Sequence, residues 1–418
     1  MSNMGKYLDR FLILSVVFLC FVRLIYSILV KSGGDEVYFV EELNFIHQLG
    51  WFEATQNGIC VTNSLIAYPL SLIFEPFMAL RITSFLVTAA ALFYFYKRFY
   101  NVKYYFWYLL FFVGSSFYFF IGTNDALFTF LMSIVLLESY LAITQKEKKY
   151  LPIILSLIVI SFFTRIIFLV YLPTIFLIIY FFIKLKLLNI KQFIAPLLIT
   201  IILLGLNVSA LSQNNVLSYE IKEPKKDGIT WIEMQYLSQL KINQGEIKEN
   251  YWVSWESVEE YKKENGENAL PQSVSESIFF DINLTIKEFF KDFIFSNLKL
   301  IRNTSGIILI SFLIVLLNFK NSFKQYQQYL LHLFFILSSL TFSFIIINNL
   351  EIRWLGLVVI PIIFMYCIQS KHSSVVMFNT NILQYLLKFN KIGVILFSVY
   401  DIYRMYHNYL NYGSWWTI

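Results

Sequence analysis

The chain has 418 residues, of which 58% are hydrophobic and 14% charged, with a formal net charge of +6 and a mean hydropathy of +0.62. Soluble globular domains carry roughly 25% charged residues, so this composition excludes an ordinary soluble protein. The excess of Lys and Arg gives no support to nucleic-acid binding, because these residues fall in short clusters between apolar runs.

Long apolar runs recur, and each reads as a membrane helix. The expected fold class is an all-α, polytopic transmembrane protein of about 10–11 spans. In chain order the spans are expected near 11–30, 78–96, 104–121, 126–144, 151–164, 166–184, 192–211, 296–318, 328–348 and 354–370, with a weaker one near 389–405. The first run follows Lys6 and Arg10 but is long, contains Arg23 and lacks a small-residue cleavage site, so it reads as a retained span.

After it comes "SGGDEVY", which opens an expected loop over 31–77. A helix of about 36–49 places Phe39, Leu43, Ile46 and Gly50 on one face and Glu41, Asn44 and Gln48 on another, the pattern of an in-plane amphipathic helix. The stretch 59–77 reads as a re-entrant or interfacial helix, because counting it as a span would invert every later connection. A second polar segment, 212–295, carries Trp231, Trp252 and Trp255, and its "WESVEEYKKENG" reads as a helix closed by Gly266. The amphipathic "SESIFFDINLTIKEFFKDFIF" leads back toward the membrane. The organisation is therefore 1–211 as a transmembrane core, 212–295 as an extracytoplasmic segment and 296–418 as a C-terminal transmembrane region.

Charge fixes the expected orientation. One alternate set of connections holds Lys6, Arg10, Lys97, Arg98, Lys103, Lys146, Lys148, Lys149, Lys184, Lys186, Lys191, Lys320, Lys324 and Lys371, and is nearly all basic. By the positive-inside rule this set is cytoplasmic. The opposite set, extracytoplasmic, holds Lys31, Asp35, Glu36, Glu41, Glu42, Glu53, Glu75, Asp125, Arg165, Glu351 and Arg353.

Those residues are the candidates for chemistry. Asp35 reads either as a helix N-cap behind Gly33 and Gly34 or as a general base at the membrane surface, with Glu36 orienting a substrate or a partner cation. Asp125, in "IGTNDALFTF", is a cap or a second acid converging on the same cavity. Arg353, beside Glu351 and Trp354, is an interfacial anchor or a phosphate clamp, since guanidinium matches phosphate geometry. Arg165 and Arg81 either snorkel or face a polar cavity, and Arg23 permits simple snorkelling. His47 reads as polar surface. Cys20, Cys60 and Cys367 are widely spread and set no disulfide framework or metal motif.

In the order of these features the chain resembles the GT-C superfamily of integral-membrane glycosyltransferases, in particular the protein O-mannosyltransferase and lipid A aminoarabinose transferase branch. The resemblance rests on Asp35-Glu36 opening the loop 31–77, Arg81 in "ALRITSFLVTAAALFYFYKR", Asp125 in "NDALFTFLMSIVLL", Thr164-Arg165, and "RWLGLVVIP" with Arg353, Trp354 and Pro361. It covers about 1–370. The sequence departs from the family pattern in keeping only Pro69-Leu70 of a His/Lys-Pro-Pro-Leu element, and in having Arg at 165 for Lys and Trp354 for Tyr.

The resemblance implies a multi-pass plasma-membrane enzyme, in bacteria of the inner membrane, with its active site on the extracytoplasmic face. Asp35 would activate an acceptor hydroxyl with Glu36 beside it, Asp125 would assist on the acceptor or cation side, and Arg165, Arg353 and Arg81 would neutralise the phosphate of a polyprenyl-phosphate-linked sugar donor. The implied partners are that donor, an extracytoplasmic acceptor and the lipid bilayer. No cofactor is required on this reading, and a divalent cation stays possible because two external acids could hold one. Rival readings are an O-antigen-type polymerase, disfavoured because 212–295 contains no Arg, a transporter or flippase, disfavoured by the lack of an inverted repeat, and a non-catalytic scaffold.

Overall fold

The computed structural model describes residues 3–31, 33–215, 217–218, 229–248, 251–317, 329–345, 350–369 and 380–412. Lys320, Lys324 and Lys371 lie outside the described residues. Within them all regular structure is helical and no strand occurs. The helices are α1 (Asn3–Leu29), α2 (Asp35–Gln56), α3 (Val61–Ser71), α4 (Pro76–Phe99), α5 (Tyr105–Ser115), α6 (Asp125–Gln145), α7 (Leu151–Thr164), α8 (Leu172–Lys184), α9 (Ile194–Leu206) and α10 (Val208–Asn214). After these come α11 (Trp231–Gln244), α12 (Trp255–Asn265), α13 (Val274–Phe280), α14 (Ile282–Thr304), α15 (Ile307–Leu317), α16 (Leu330–Ile345), α17 (Ile352–Gln369) and α18 (Thr380–Tyr412).

Among the described residues four helical stretches are long and apolar enough to cross a bilayer: Gly5–Leu29, Pro76–Phe99, Asp125–Gln145 and Ile166–Lys184. Five further apolar helices are shorter, at 10–17 residues. The molecule thus has the helical, apolar build of a membrane-embedded protein.

Several expected spans are interrupted, each for a visible reason. The stretch 104–121 is α-helical only to Ser115, with a single 3-10 turn over Phe117–Phe119 after it. Beyond that point the backbone is bound by side chains from α2 and α4: Thr88 Oγ1 donates to Phe119 O (3.1 Å), Ser84 Oγ to Ile121 O (2.6 Å), and Gly122 N–H to Glu36 Oε1 (2.7 Å). The stretch 296–318 is divided at Ser305 and Gly306, both left-handed (φ 51° and 80°). Asn207 separates α9 from α10, whereas 166–184 stays one helical stretch, a 3-10 start over Ile166–Tyr171 running directly into α8 at Leu172. The weak candidate at 389–405 lies inside the 33-residue α18.

The surface-helix expectation is met on its faces and exceeded in length. Phe39, Leu43 and Ile46 are buried while Glu41, Asn44 and Gln48 are exposed. The helix continues past 49, turning at Gly50 (φ 84°, ψ 175°) and ending at Gln56. The stretch 59–77 holds only the 11-residue α3, which packs on α4. In the polar segment α12 ends at Gly266 (φ 102°), and Ile229, Met234, Tyr236, Leu237, Val258 and Leu270 form a small core of their own.

Two helices carry the centre. Both α6 and α17 are apolar on every side, which requires neighbours all round, and their side chains from Leu355 to Met365 and from Val135 to Ser139 are buried. They pack on each other, Ser133 Oγ donating to Leu357 O at 3.0 Å. Lipid removes most of the hydrophobic drive between membrane helices, so close packing and interhelical hydrogen bonds carry association. Gly356 makes room on α17 for the Tyr118 hydroxyl from the turn before α6, with which a Cβ there would collide.

Candidate functional site

The first residues of α6 and α17 lie at the same end of the central pair, and the start of α2 reaches them. Asp125 opens α6, Arg353 lies in the first turn of α17 and Asp35 opens α2. Arg353 Nη2 donates to Asp35 Oδ2 at 2.6 Å and its Nη1 to Asp125 Oδ2 at 3.0 Å. It also pairs with Glu351, Nη2 lying 3.0 Å from Oε1. Arg165, the residue that ends α7, donates from Nη1 to Asp125 Oδ1. Thr123 Oγ1 adds a bond to Asp125 Oδ2 at 2.8 Å. Asp35, Arg353, Asp125 and Arg165 thus form one continuous charged chain across sequence separations of up to 318 residues.

Depth differs along that chain. Asp125 and Arg353 are buried, with side chains 2% and 7% exposed, whereas Asp35 is 22% and Glu351 30% exposed. Asp35 and Glu351 therefore form the open rim, and Asp125 and Arg165 the floor. A neighbouring polar lattice fixes that floor: Asn124 Nδ2 donates to Thr164 O (3.1 Å), and Thr62 Oγ1 to Thr164 Oγ1 (3.1 Å).

The capping readings of the two acids do not describe this structure. The N-cap of α2 is Gly34 (φ 55°) and that of α6 is Asn124, neither start has a side-chain capping bond, and both carboxylates engage arginines. Glycine at 34 serves the positive φ that a side chain would disfavour.

Glu36 and Arg81 stand beside this chain as a separate pair. Arg81 Nε and Nη2 each reach a Glu36 oxygen at 2.7 Å, and Nη1 donates to Val30 O (2.8 Å) and Ser27 O. The guanidinium stacks 4.1 Å over the Phe77 ring, and Glu36 also receives Gly122 N–H. Both side chains are buried and their hydrogen-bonding capacity is committed. They tie the end of α1 to α2, α4 and the segment before Asp125. A Cβ at Gly122 would lie 2.6 Å from Leu80 Cβ and 3.0 Å from Glu36 Oε1, so only glycine admits this approach.

Arg23 does not snorkel: it is buried, and its Nε donates to Gly114 O at 2.9 Å. His47 is exposed, within 2.7 Å of Ser71 Oγ and stacked on Tyr68. Cys20, Cys60 and Cys367 form no disulfide with one another. No group of three metal-ligating side chains occurs among the described residues. Sequence reasoning passed over Thr123, although a hydroxyl two residues before a helix-opening acid was a local signal for it.

No family model, curated protein or solved structure matches the chain. The GT-C resemblance therefore rests on motif order in the sequence.

Proposed function

We propose that the protein is a membrane glycosyltransferase that moves a sugar from a polyprenyl-phosphate-linked donor to an acceptor hydroxyl, at the extracytoplasmic end of the bundle. The observation that carries this reading is the sharing of Arg353 between Asp35 and Asp125, with Arg165 behind Asp125. Two acids and two arginines from four distant parts of the chain meet at one partly open end.

Asp35, at the rim, is the base. It takes the proton of the acceptor O–H as that oxygen bonds to the anomeric carbon. The bond from that carbon to the phosphate oxygen breaks on the opposite side, its electron pair leaves with the lipid phosphate, and the configuration inverts. Arg353 and Arg165 receive the developing phosphate charge, a large electrostatic contribution where water is scarce. Arg353 holds Asp35. An arriving phosphate competes for the same guanidinium and releases the carboxylate, so donor binding prepares the base. Asp125 keeps Arg165 and Arg353 aimed at one point.

The test is sugar transfer in membranes supplied with a polyprenyl-phosphate sugar. Asp35→Asn should lower the rate about 10²–10⁴-fold, the usual worth of a general base, and Arg353→Ala should abolish it. Undiminished transfer by both variants would sink the proposal.

A further inference from the structure

A second set of charges lies where α1, α14 and α18 pass one another, apart from the Asp35–Arg353 chain. Arg23 of α1 is buried, and beyond its bond to Gly114 O its Nη1 has no hydrogen-bond partner among the described residues. Arg302 of α14 donates from Nη2 to Asp401 Oδ1 of α18 at 3.2 Å. The guanidinium groups of Arg302 and Arg404 both lie over the Tyr400 ring, at 5.7 and 5.8 Å from its centre. Asp401 also interacts electrostatically with Arg23 and Arg404. Arg302 Nε and Arg404 Nη1 are likewise buried without a hydrogen-bond partner among the described residues.

Three guanidinium charges thus face a single carboxylate. Arg23 is the buried one, the Arg302 side chain being 37% exposed and Arg404 half-buried; a buried cation without a full counter-charge is costly in a low-dielectric setting, and the surplus beside Arg23 calls for an anion. Arg23 lies six residues, roughly 9 Å, before the end of α1 at Leu29, between the centre and the end of a helix able to cross a bilayer. The open side of the cluster is apolar: Leu298 and Phe295 lie one and two turns before Arg302 on α14, and Leu396, Tyr400 and Tyr403 lie beside Arg404 on α18, all exposed. Acyl chains suit such a surface, and basic pockets between membrane helices take lipid head groups.

The geometry points to a binding site for the phosphate group of an anionic lipid between α1, α14 and α18, seated on Arg23, Arg302 and Arg404. Guanidinium forks match phosphate oxygens in pairs, and Asp401 holds Arg302 in place for the contact. The site is independent of the proposed transfer reaction and would hold the C-terminal helix α18 onto α1.

Thermal unfolding of the purified full-length protein in detergent tests this, with phosphatidylglycerol, phosphatidylcholine or inorganic phosphate added. Phosphatidylglycerol should raise Tm by several degrees, phosphatidylcholine less because its choline cation meets the arginines, and inorganic phosphate not at all. Arg23→Gln/Arg404→Gln should weaken the half-maximal lipid concentration at least roughly tenfold, the scale of a lost charge-assisted hydrogen bond. Arg404→Gln alone, at a half-buried position, provides a variant that leaves the buried Arg23 intact and should show a smaller loss in the same direction. If inorganic phosphate reproduced the shift and the variants lost it, the ligand would be a soluble anion and the lipid assignment would fall. Equal shifts from both lipids, no shift, or a shift that survives the substitutions would overturn the site.

Discussion

Arg353 serves three carboxylates, those of Asp35, Asp125 and Glu351, while Arg81 serves one carboxylate and two backbone carbonyls. The difference separates two roles that adjacent positions in "DEVY" do not reveal. Asp35 keeps a partly exposed edge and a partner that a phosphate could take; Glu36 is enclosed, with Arg81 and Gly122 on its oxygens. Removing one member of a buried ion pair costs about 3–5 kcal/mol, because the other charge stays behind unpaired. Glu36→Ala should therefore lower Tm strongly, with transfer per folded molecule much less affected than in Asp35→Asn; the two are separated by measuring activity against the folded fraction. The sequence pointed to both acids as functional. That Glu36 pairs with Arg81 and Asp35 with Arg353 was illegible, because Arg81 lies 45 residues from Glu36 and any of the scattered arginines could have been its partner.

At the level of elements, periodicity was a reliable guide and continuity was not. The buried face of α2 followed from its spacing. The end of the run near 104–121 did not, because the ladder is lost there to Ser84, Thr88 and Glu36, residues that local pattern cannot place alongside it. Gly50 is a further case: its φ of 84° and ψ of 175° belong to a region open essentially to glycine alone. A Cβ there would meet nothing within 4 Å, so Gly50→Ala isolates backbone strain and should cost about 1–3 kcal/mol, read as a fall in Tm. In the polar segment, the bond from Lys262 to Glu233 joins α12 to α11 and holds the ammonium above its ordinary value of 10.5. A group whose folded pKa is raised contributes its stability below the unfolded value and loses it as pH rises through the folded one. The near-ultraviolet signal of the stacked Trp231 and Trp252 should thus hold steady from pH 6 to 9 and weaken only above about 10.5.

For the whole molecule, the proposed orientation puts Lys148 and Lys263 on opposite sides of the membrane. Both are exposed, and the native thiols sit within helices or buried loops. In intact cells a membrane-impermeant maleimide should label Lys263→Cys and spare Lys148→Cys until the membrane is opened; the reverse pattern would invert the topology. The meeting of Asp35, Asp125, Arg165 and Arg353 at one end was legible from the alternation of basic and acidic connections alone. The Arg302–Asp401 contact was not, since nothing in either helix signals a partner 99 residues away. At the shared end, α2, α6 and α17 all begin, and a helix start carries about half a positive charge from its unpaired N–H groups. Part of the attraction for an anion therefore belongs to the backbone, beyond the reach of side-chain replacement. That part does not suffice alone: without Arg165 and Arg353 the carboxylates of Asp35, Asp125 and Glu351 would face the helix starts unpaired, and their full negative charges would outweigh the partial positive ones, so that spot would turn anions away.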